Sequence, residues 1–164
     1  MEPRLAHPAQ TLPGAMQALM RLEKATQQAG VPETTQELLR LRADQINGCS
    51  ACVDIHSRAL KAAGEPDERI FTVAAWRESI YFSEAERAAL ALTEAVTRLS
   101  DRPEPVPDDV WDEAARHYDE AQLAALVLSI ATINAWNRIN VATQQITGPW
   151  VEQLISRQPA DTAA

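Results

Sequence analysis

The chain has 164 residues, which is enough for one domain with a buried core. Its 23 acidic residues outnumber 15 basic ones, and the resulting formal charge of −8 argues against a nucleic-acid-binding protein. Apolar residues make up 46% of the chain, which argues against long disorder, and two cysteines are too few for a secreted disulfide scaffold. The start carries no apolar leader and the chain has no run of about 20 apolar residues, so we expect a cytoplasmic protein without membrane contact.

Prolines and glycines divide the chain into segments where helices are expected, because proline costs about 3 kcal/mol in a helix interior. Glycines shortly before a proline, a pattern typical of helix ends, occur at Gly30, Gly64 and Gly148. Capping-box spacing marks two helix starts, Ser83 with Glu86 and Asp119 with Gln122. No β-branched run alternates with polar residues, so the fold class is all-α. The predicted helices are 14–29, 33–46, 50–63, 67–78, 84–100, 108–117 and 120–146.

The same boundaries predict one domain with short extensions. We expect an N-terminal arm over 1–13, a helical domain over 14–150 and a frayed polar tail over 151–164. The predicted helix 120–146 is apolar nearly all round in its first half. Such a helix belongs in the centre of a bundle or in a subunit interface, and we therefore expect a homo-oligomer.

Cys49, Cys52 and His56 are the residues that point to chemistry. If a helix begins near Cys49, spacings of three and then four residues place the three side chains on one face. The free N–H groups and partial positive charge of a helix N-terminus favour a thiolate, and an imidazole can accept the thiol proton. Residues three apart in a helix have Cα atoms about 5 Å apart, within the range of a disulfide. The pattern predicts a redox site in which one cysteine attacks and the other closes a disulfide.

Two other interpretations of these residues stay open. The cysteines could be buried structural residues beside a core histidine. They could also be zinc ligands, but a closed zinc site needs a fourth ligand, and the chain has no further cysteine. His7 falls in the predicted arm and His117 is distant in sequence. Haem attachment is disfavoured, because Val53 rather than a histidine follows Cys52.

Glu37 is the candidate acid–base partner from the preceding helix. It lies twelve residues before Cys49, and an antiparallel return of the chain would bring it beside His56. A glutamate near a helix start is also commonly a solvated residue of the first turn. Its position alone therefore does not establish a role.

Glu37, eleven intervening residues and the run Cys49-Ser-Ala-Cys52-Val-Asp-Ile-His56 together resemble the core motif of the alkylhydroperoxidase D-like (AhpD-like) proteins of the carboxymuconolactone decarboxylase superfamily. The resemblance extends from about Leu38 to Asn140. It implies an AhpD-like helical bundle that assembles as a homotrimer or homohexamer, and it implies reduction of hydroperoxides by the cysteine pair. The decarboxylases of the superfamily generally lack this pair, which disfavours decarboxylation.

The resemblance also implies roles for the four candidate catalytic residues. Glu37 and His56 would form a proton relay that deprotonates Cys52, which attacks the peroxide and becomes a sulfenic acid, and Cys49 would resolve it as a disulfide. The helix dipole favours Cys49 as the attacking thiol and the histidine favours Cys52; we choose Cys52, because proton removal by a base is specific. The better-studied members have a histidine directly before the second cysteine, where this chain has Ala51.

The implied partners are a hydroperoxide substrate and a dithiol reductant, either a lipoylated or a thioredoxin-like protein. We expect no cofactor, no metal, no nucleic acid and no membrane partner. The alternative function is non-enzymatic: a helical oligomer that senses redox state or holds zinc.

Overall fold

A computed structural model describes residues 2–101, 103–148 and 151. Within these residues every regular element is helical, in agreement with the predicted all-α class. All but one residue of the predicted tail, 151–164, lie outside the described part of the chain. The elements are α1 (Pro8–Thr11), α2 (Ala15–Gln27), α3 (Glu33–Asn47), α4 (Ser50–Ala62), α5 (Asp67–Thr72), a 3-10 helix (Val73–Glu78), α6 (Glu84–Thr97), α7 (Asp108–His117) and α8 (Glu120–Thr143).

Both predicted capping boxes are confirmed. At the start of α6 the Ser83 hydroxyl accepts the Glu86 N–H at 3.3 Å, and the Glu86 carboxylate accepts the Ser83 N–H at 2.8 Å. At the start of α8 Asp119 and Gln122 exchange the same two bonds at 2.9 and 3.0 Å. These side chains satisfy N–H groups that have no partner inside the helix.

The single helix predicted over 67–78 is wrong in detail. The chain forms α5 and then the 3-10 helix, inside which Ala75 leaves helical geometry. The Arg87 guanidinium explains how this bend is tolerated: it donates to the carbonyls of Trp76 and Ser79 at 3.0 Å and of Arg77 at 2.8 Å. The Arg87 side chain on α6 thus donates to carbonyls that would accept backbone hydrogen bonds if the helix continued. No local sequence pattern predicts that contact.

Helix α3 runs through the centre of the domain and packs against α4, α6 and α8. One side of it buries Leu39 in a core shared with α6, α7 and α8. Another side buries Leu38 and Leu41 in a core shared with α4, α5, the 3-10 helix and α6. Its remaining side is polar and buried, and there Asp44 contacts His56 of α4 and Asn137 of α8.

The buried carboxylate of Glu94 links the elements that form the core around Leu38 and Leu41. Glu94 of α6 is 5% exposed and accepts hydrogen bonds from Arg42 at 2.7 Å, Trp76 at 3.0 Å and Arg77 at 2.6 Å. Burial alone would raise the pKa of Glu94, but these donors lower it below its usual value. The carboxylate therefore joins α3, the 3-10 helix and α6 as an anion.

The predicted N-terminal arm contacts the end of α8. The Arg4 N–H donates to the Thr143 carbonyl at 2.9 Å, and the Gln145 side chain donates to the Leu5 carbonyl at 3.2 Å. The predicted helix 120–146 ends at Thr143, and Gln144 follows with a left-handed φ of 54°. None of the described helices is long and apolar enough to cross a membrane.

Candidate active site

The cysteine pair lies where α3 ends and α4 begins. Gly48 closes α3 with a φ of 67°, a left-handed conformation that glycine adopts without strain. Cys49 is then the N-cap of α4, and its sulfur accepts the Cys52 N–H at 3.4 Å. The two cysteines are joined as a disulfide with a Cα–Cα distance of 5.3 Å, and each is 2% exposed. The predicted helix start near Cys49 is confirmed.

His56 lies one turn after Cys52 on α4, and its partner is Asp44 of α3. His56 Nδ1 is 2.6 Å from Asp44 Oδ2, and the Asp44 side chain is fully buried. The second oxygen, Oδ1, accepts from Asn137 Nδ2 at 2.6 Å. Because a carboxylate only accepts hydrogen bonds, the proton of a neutral His56 resides on Nδ1, and Nε2 is left as the basic nitrogen.

Asp44 also sets the basicity of His56. Burial alone would lower the pKa of His56, but the charge and hydrogen bond of Asp44, aided by the charge of Glu37, raise it above its usual value. A raised pKa makes the imidazole a better acceptor for a thiol proton, and it makes the imidazolium a better partner for a thiolate.

Glu37 lies about two turns before Asp44 on α3, and its hydrogen-bond partner is Arg40. Its other oxygen, Oε2, is buried without a hydrogen-bond partner among the described residues. The structure therefore brings Glu37 close enough to act on His56 through its charge. It is Asp44, however, that is hydrogen-bonded to His56.

Asparagines of α8 complete the polar layer between α3, α4 and α8. Asn47 Nδ2 donates to Asn134 Oδ1 at 3.0 Å and to Asn137 Oδ1 at 2.7 Å. Asn140 Nδ2 donates to Cys52 Sγ at 3.2 Å. Every asparagine in this layer thus bonds another polar side chain of the site, as buried amides require.

Asp44 and Asn140 belong to the site but are not among the residues predicted from the sequence. A signal for them exists in the spacing: Glu37, Arg40, Asp44 and Asn47 recur every three or four residues along α3, as do Asn134, Asn137 and Asn140 along α8. A polar stripe on a helix whose other faces are leucine-rich indicates a buried polar surface. Two such stripes predict that the helices meet along them.

An open groove of about 580 Å³ runs beside the cysteine pair. Residues adjacent in sequence to the cysteines line it, together with side chains of α4 and the segment after α8: Gln45, Gly48, Ser50, Val53, Asp54, Ser57 and Thr147. Within the described residues no group of three or more histidine, cysteine or acidic side chains is placed to hold a metal ion.

The raised pKa of His56 predicts a pH-dependent contribution to stability. This contribution is fully present below the unfolded pKa of about 6.5 and is lost as the pH rises through the folded pKa. We therefore expect the unfolding free energy of the disulfide form to fall, relative to His56→Gln, as the pH rises above about 6.5. Urea unfolding at a series of pH values measures the difference, and His117→Gln is the control for loss of an exposed histidine. Parallel profiles for the native protein and His56→Gln would contradict the prediction.

Comparison with known proteins gives consistent matches. The family model described as the carboxymuconolactone decarboxylase family matches residues 13–95. The uncharacterized protein YdfG of Bacillus subtilis is 41% identical over 130 residues, covering 79% of this chain and 87% of YdfG. The alkyl hydroperoxide reductase AhpD of Bradyrhizobium diazoefficiens is 46% identical over 43 residues, covering 26% of this chain and 24% of that enzyme.

A crystal structure from Agrobacterium tumefaciens matches the whole fold. That protein is of unknown function, and a role in AhpD antioxidant defence has been suggested for it. The TM-score is 0.83 at 33% identity, and the match covers 90% of this chain and 99% of the other. The predicted AhpD-like bundle is thereby confirmed as the fold.

Proposed function

Because this chain belongs to the carboxymuconolactone decarboxylase family, with an AhpD-like fold, we propose that it is a two-cysteine hydroperoxide reductase. One arrangement supports this activity above all: Cys49 and Cys52 are joined as a disulfide at the start of α4, one turn from a His56 that is bonded to a buried carboxylate. Such a pair can carry two electrons between a dithiol and a peroxide, and its Cα–Cα distance of 5.3 Å requires little backbone movement to close the disulfide.

The first step is formation of the Cys52 thiolate in the reduced protein. His56 holds the proton that leaves the sulfur, and Asp44 stabilises the resulting imidazolium. Both Asp44 and Glu37 raise the pKa of His56, so the proton stays on the ring and the negative charge stays on Cys52. Ala51 is buried beside Cys52 and supplies no second imidazole, which leaves this role to His56.

The second step is transfer of oxygen. The Cys52 thiolate attacks the terminal peroxide oxygen, and an S–O bond forms as the O–O bond breaks. The alkoxide leaving group takes the proton held by His56 to become an alcohol. The Cys49 thiol then attacks the Cys52 sulfenic acid, forms the disulfide and releases water. An external dithiol reduces that disulfide and is itself oxidised, so each turnover converts a hydroperoxide and a dithiol into an alcohol, water and a disulfide.

The groove beside the pair supports access for these reactants. It reaches the residues that flank both cysteines, whereas the sulfurs themselves are buried. A homotrimer or homohexamer stays our proposal for the assembly. Large apolar side chains exposed on the chain's surface support subunit contacts; they include Phe71, Ile80, Leu128 and Val141.

The decisive experiment follows the cysteines and the turnover separately. Fully reduced protein receives one equivalent of cumene hydroperoxide, free thiols are alkylated, and the intact mass is measured. We expect an intramolecular Cys49–Cys52 disulfide, and we expect continuous peroxide consumption when dihydrolipoamide is added. A protein that keeps both thiols free contradicts the proposal. Oxidation without turnover by the dithiol also contradicts it, and favours a redox sensor instead.

A further inference from the structure

A chain of hydrogen bonds runs from the N-terminal segment to the sulfur of Cys52. The Ala9 N–H donates to His7 Nδ1 at 3.2 Å. His7 Nε2 is 3.0 Å from Asn140 Oδ1, and Asn140 Nδ2 donates to Cys52 Sγ at 3.2 Å. The side chains of His7 and Asn140 thus connect the N-terminal segment with the sulfur of Cys52.

Each hydrogen bond between Ala9 and Cys52 has only one possible donor, because some of the atoms can only donate and others can only accept. A backbone N–H only donates, so His7 Nδ1 is the unprotonated nitrogen and the hydrogen of the neutral ring is on Nε2. Nε2 therefore donates to the amide oxygen of Asn140, which turns the amide nitrogen toward Cys52. If the amide were reversed, its NH₂ group would meet the N–H of His7 and its oxygen would face the sulfur.

His7 is held in place independently of the cysteines. It is the N-cap of α1, and its ring lies 5.7 Å from the Trp136 ring on α8. The backbone bond from Arg4 to Thr143 fixes the preceding residues against the end of the same helix. Asn140 is 9% exposed and Cys52 is 2% exposed, so the amide–sulfur bond is shielded from water.

We infer that His7 is a positioning residue for the Cys52 thiolate, acting through Asn140. A disulfide sulfur is a weak acceptor, whereas a thiolate is an anion, and hydrogen bonds to charged groups are the stronger ones. The Asn140 N–H therefore stabilises the reduced, ionised form of Cys52 more than the disulfide. The inference rests on the proposed function in one respect, namely the assignment of Cys52 as the attacking cysteine.

The experiment measures the thiolate directly and needs no peroxide. In a Cys49→Ser background, the rate of Cys52 alkylation by iodoacetamide is recorded against pH. We expect Asn140→Leu to reduce the rate at neutral pH about tenfold and His7→Ala to reduce it about threefold, because a bond to an ionised sulfur is lost or loosened. His56, one turn from Cys52 on α4, and its carboxylate partner Asp44 on α3 are unchanged in these variants. His117→Ala, which removes an exposed histidine, is the matched control.

A double-substituted variant separates positioning from stability. If His7 acts through Asn140, adding His7→Ala to Asn140→Leu slows alkylation no further. His7→Gln retains a side-chain N–H donor and recovers part of the rate. The inference is overturned if His7→Ala lowers the melting temperature but leaves the alkylation profile in place, or if it slows alkylation equally with and without Asn140. Failure of peroxide turnover in the native protein affects only the proposed function, because alkylation is independent of it.

Discussion

Cys52→Ser is expected to abolish hydroperoxide reduction, whereas Cys49→Ser is expected to react once and then stop. A serine hydroxyl one turn from His56 is a far weaker nucleophile than a thiolate, so the first step is lost and no measurable turnover is left. Without Cys49 the first step is intact, but the sulfenic acid on Cys52 has no resolving thiol. Stopped-flow consumption of peroxide, with dimedone trapping of the sulfenic acid, distinguishes the two variants.

The same measurement decides which thiol attacks. Cys49 is the N-cap of α4 and is nearest to the partial positive charge of the helix end, whereas Cys52 has both the histidine and the Asn140 amide. A fast first turnover in Cys52→Ser, together with its loss in Cys49→Ser, would reverse the assignment. Lys61→Gln, an exposed α4 substitution outside both the polar layer and the groove, is the control for disturbance of the helix.

Asp44→Asn is expected to reduce the rate of peroxide reduction by about 10² to 10⁴-fold, the contribution typical of a positioned acid–base group, because His56 loses its orienting carboxylate. Both Asp44 oxygens accept hydrogen bonds, one from His56 and one from Asn137. An asparagine must turn its NH₂ group toward one of these donors. Either the Asn137 bond then becomes a donor–donor contact, or His56 must move its proton from Nδ1 to Nε2, the nitrogen that is to accept the thiol proton. His56 then loses the group that fixes its proton and raises its pKa.

Glu37→Gln is the informative comparison for Asp44→Asn. Glu37 acts on His56 through its charge and has Arg40 as its hydrogen-bond partner, so we expect a loss of less than about tenfold. Asp67→Asn, at an exposed ion pair with Lys61, is the control for loss of a surface carboxylate. If Glu37→Gln costs more than Asp44→Asn, the relay implied by the family resemblance operates and the Asp44–His56 bond is structural.

Helix positions were predictable because their signals are local. The two capping boxes and the predicted stop glycines Gly30 and Gly64 are patterns of a few neighbouring residues. The structure has both boxes, and both glycines have a left-handed φ. The break between α5 and the 3-10 helix was not predictable. It depends on the Arg87 guanidinium, which reaches back from α6 to bond carbonyls eight to eleven residues earlier.

The site also contains residues that a local pattern predicts and residues that only the fold brings together. Cys49, Cys52 and His56 belong to one turn-and-helix segment, so their spacing alone brings them together. Asp44 and Asn140 join them from α3 and α8, and sequence spacing does not say which of several polar residues on a neighbouring helix makes the contact. His7 lies outside any long periodic segment, and only the folded chain shows that it contacts α8.

Few positions of α3 are expected to tolerate substitution, because the helix is central in the domain. Leucines fill two of its sides and the polar layer occupies the third, so an exchange at most positions disturbs either the packing or the reacting groups. Helix α2, by contrast, leaves most of its surface to solvent and buries Thr26. Random mutagenesis should therefore recover accepted substitutions mainly on α2 and few on α3. The helix that supplies Asp44 to His56 is then also the helix whose sequence changes least.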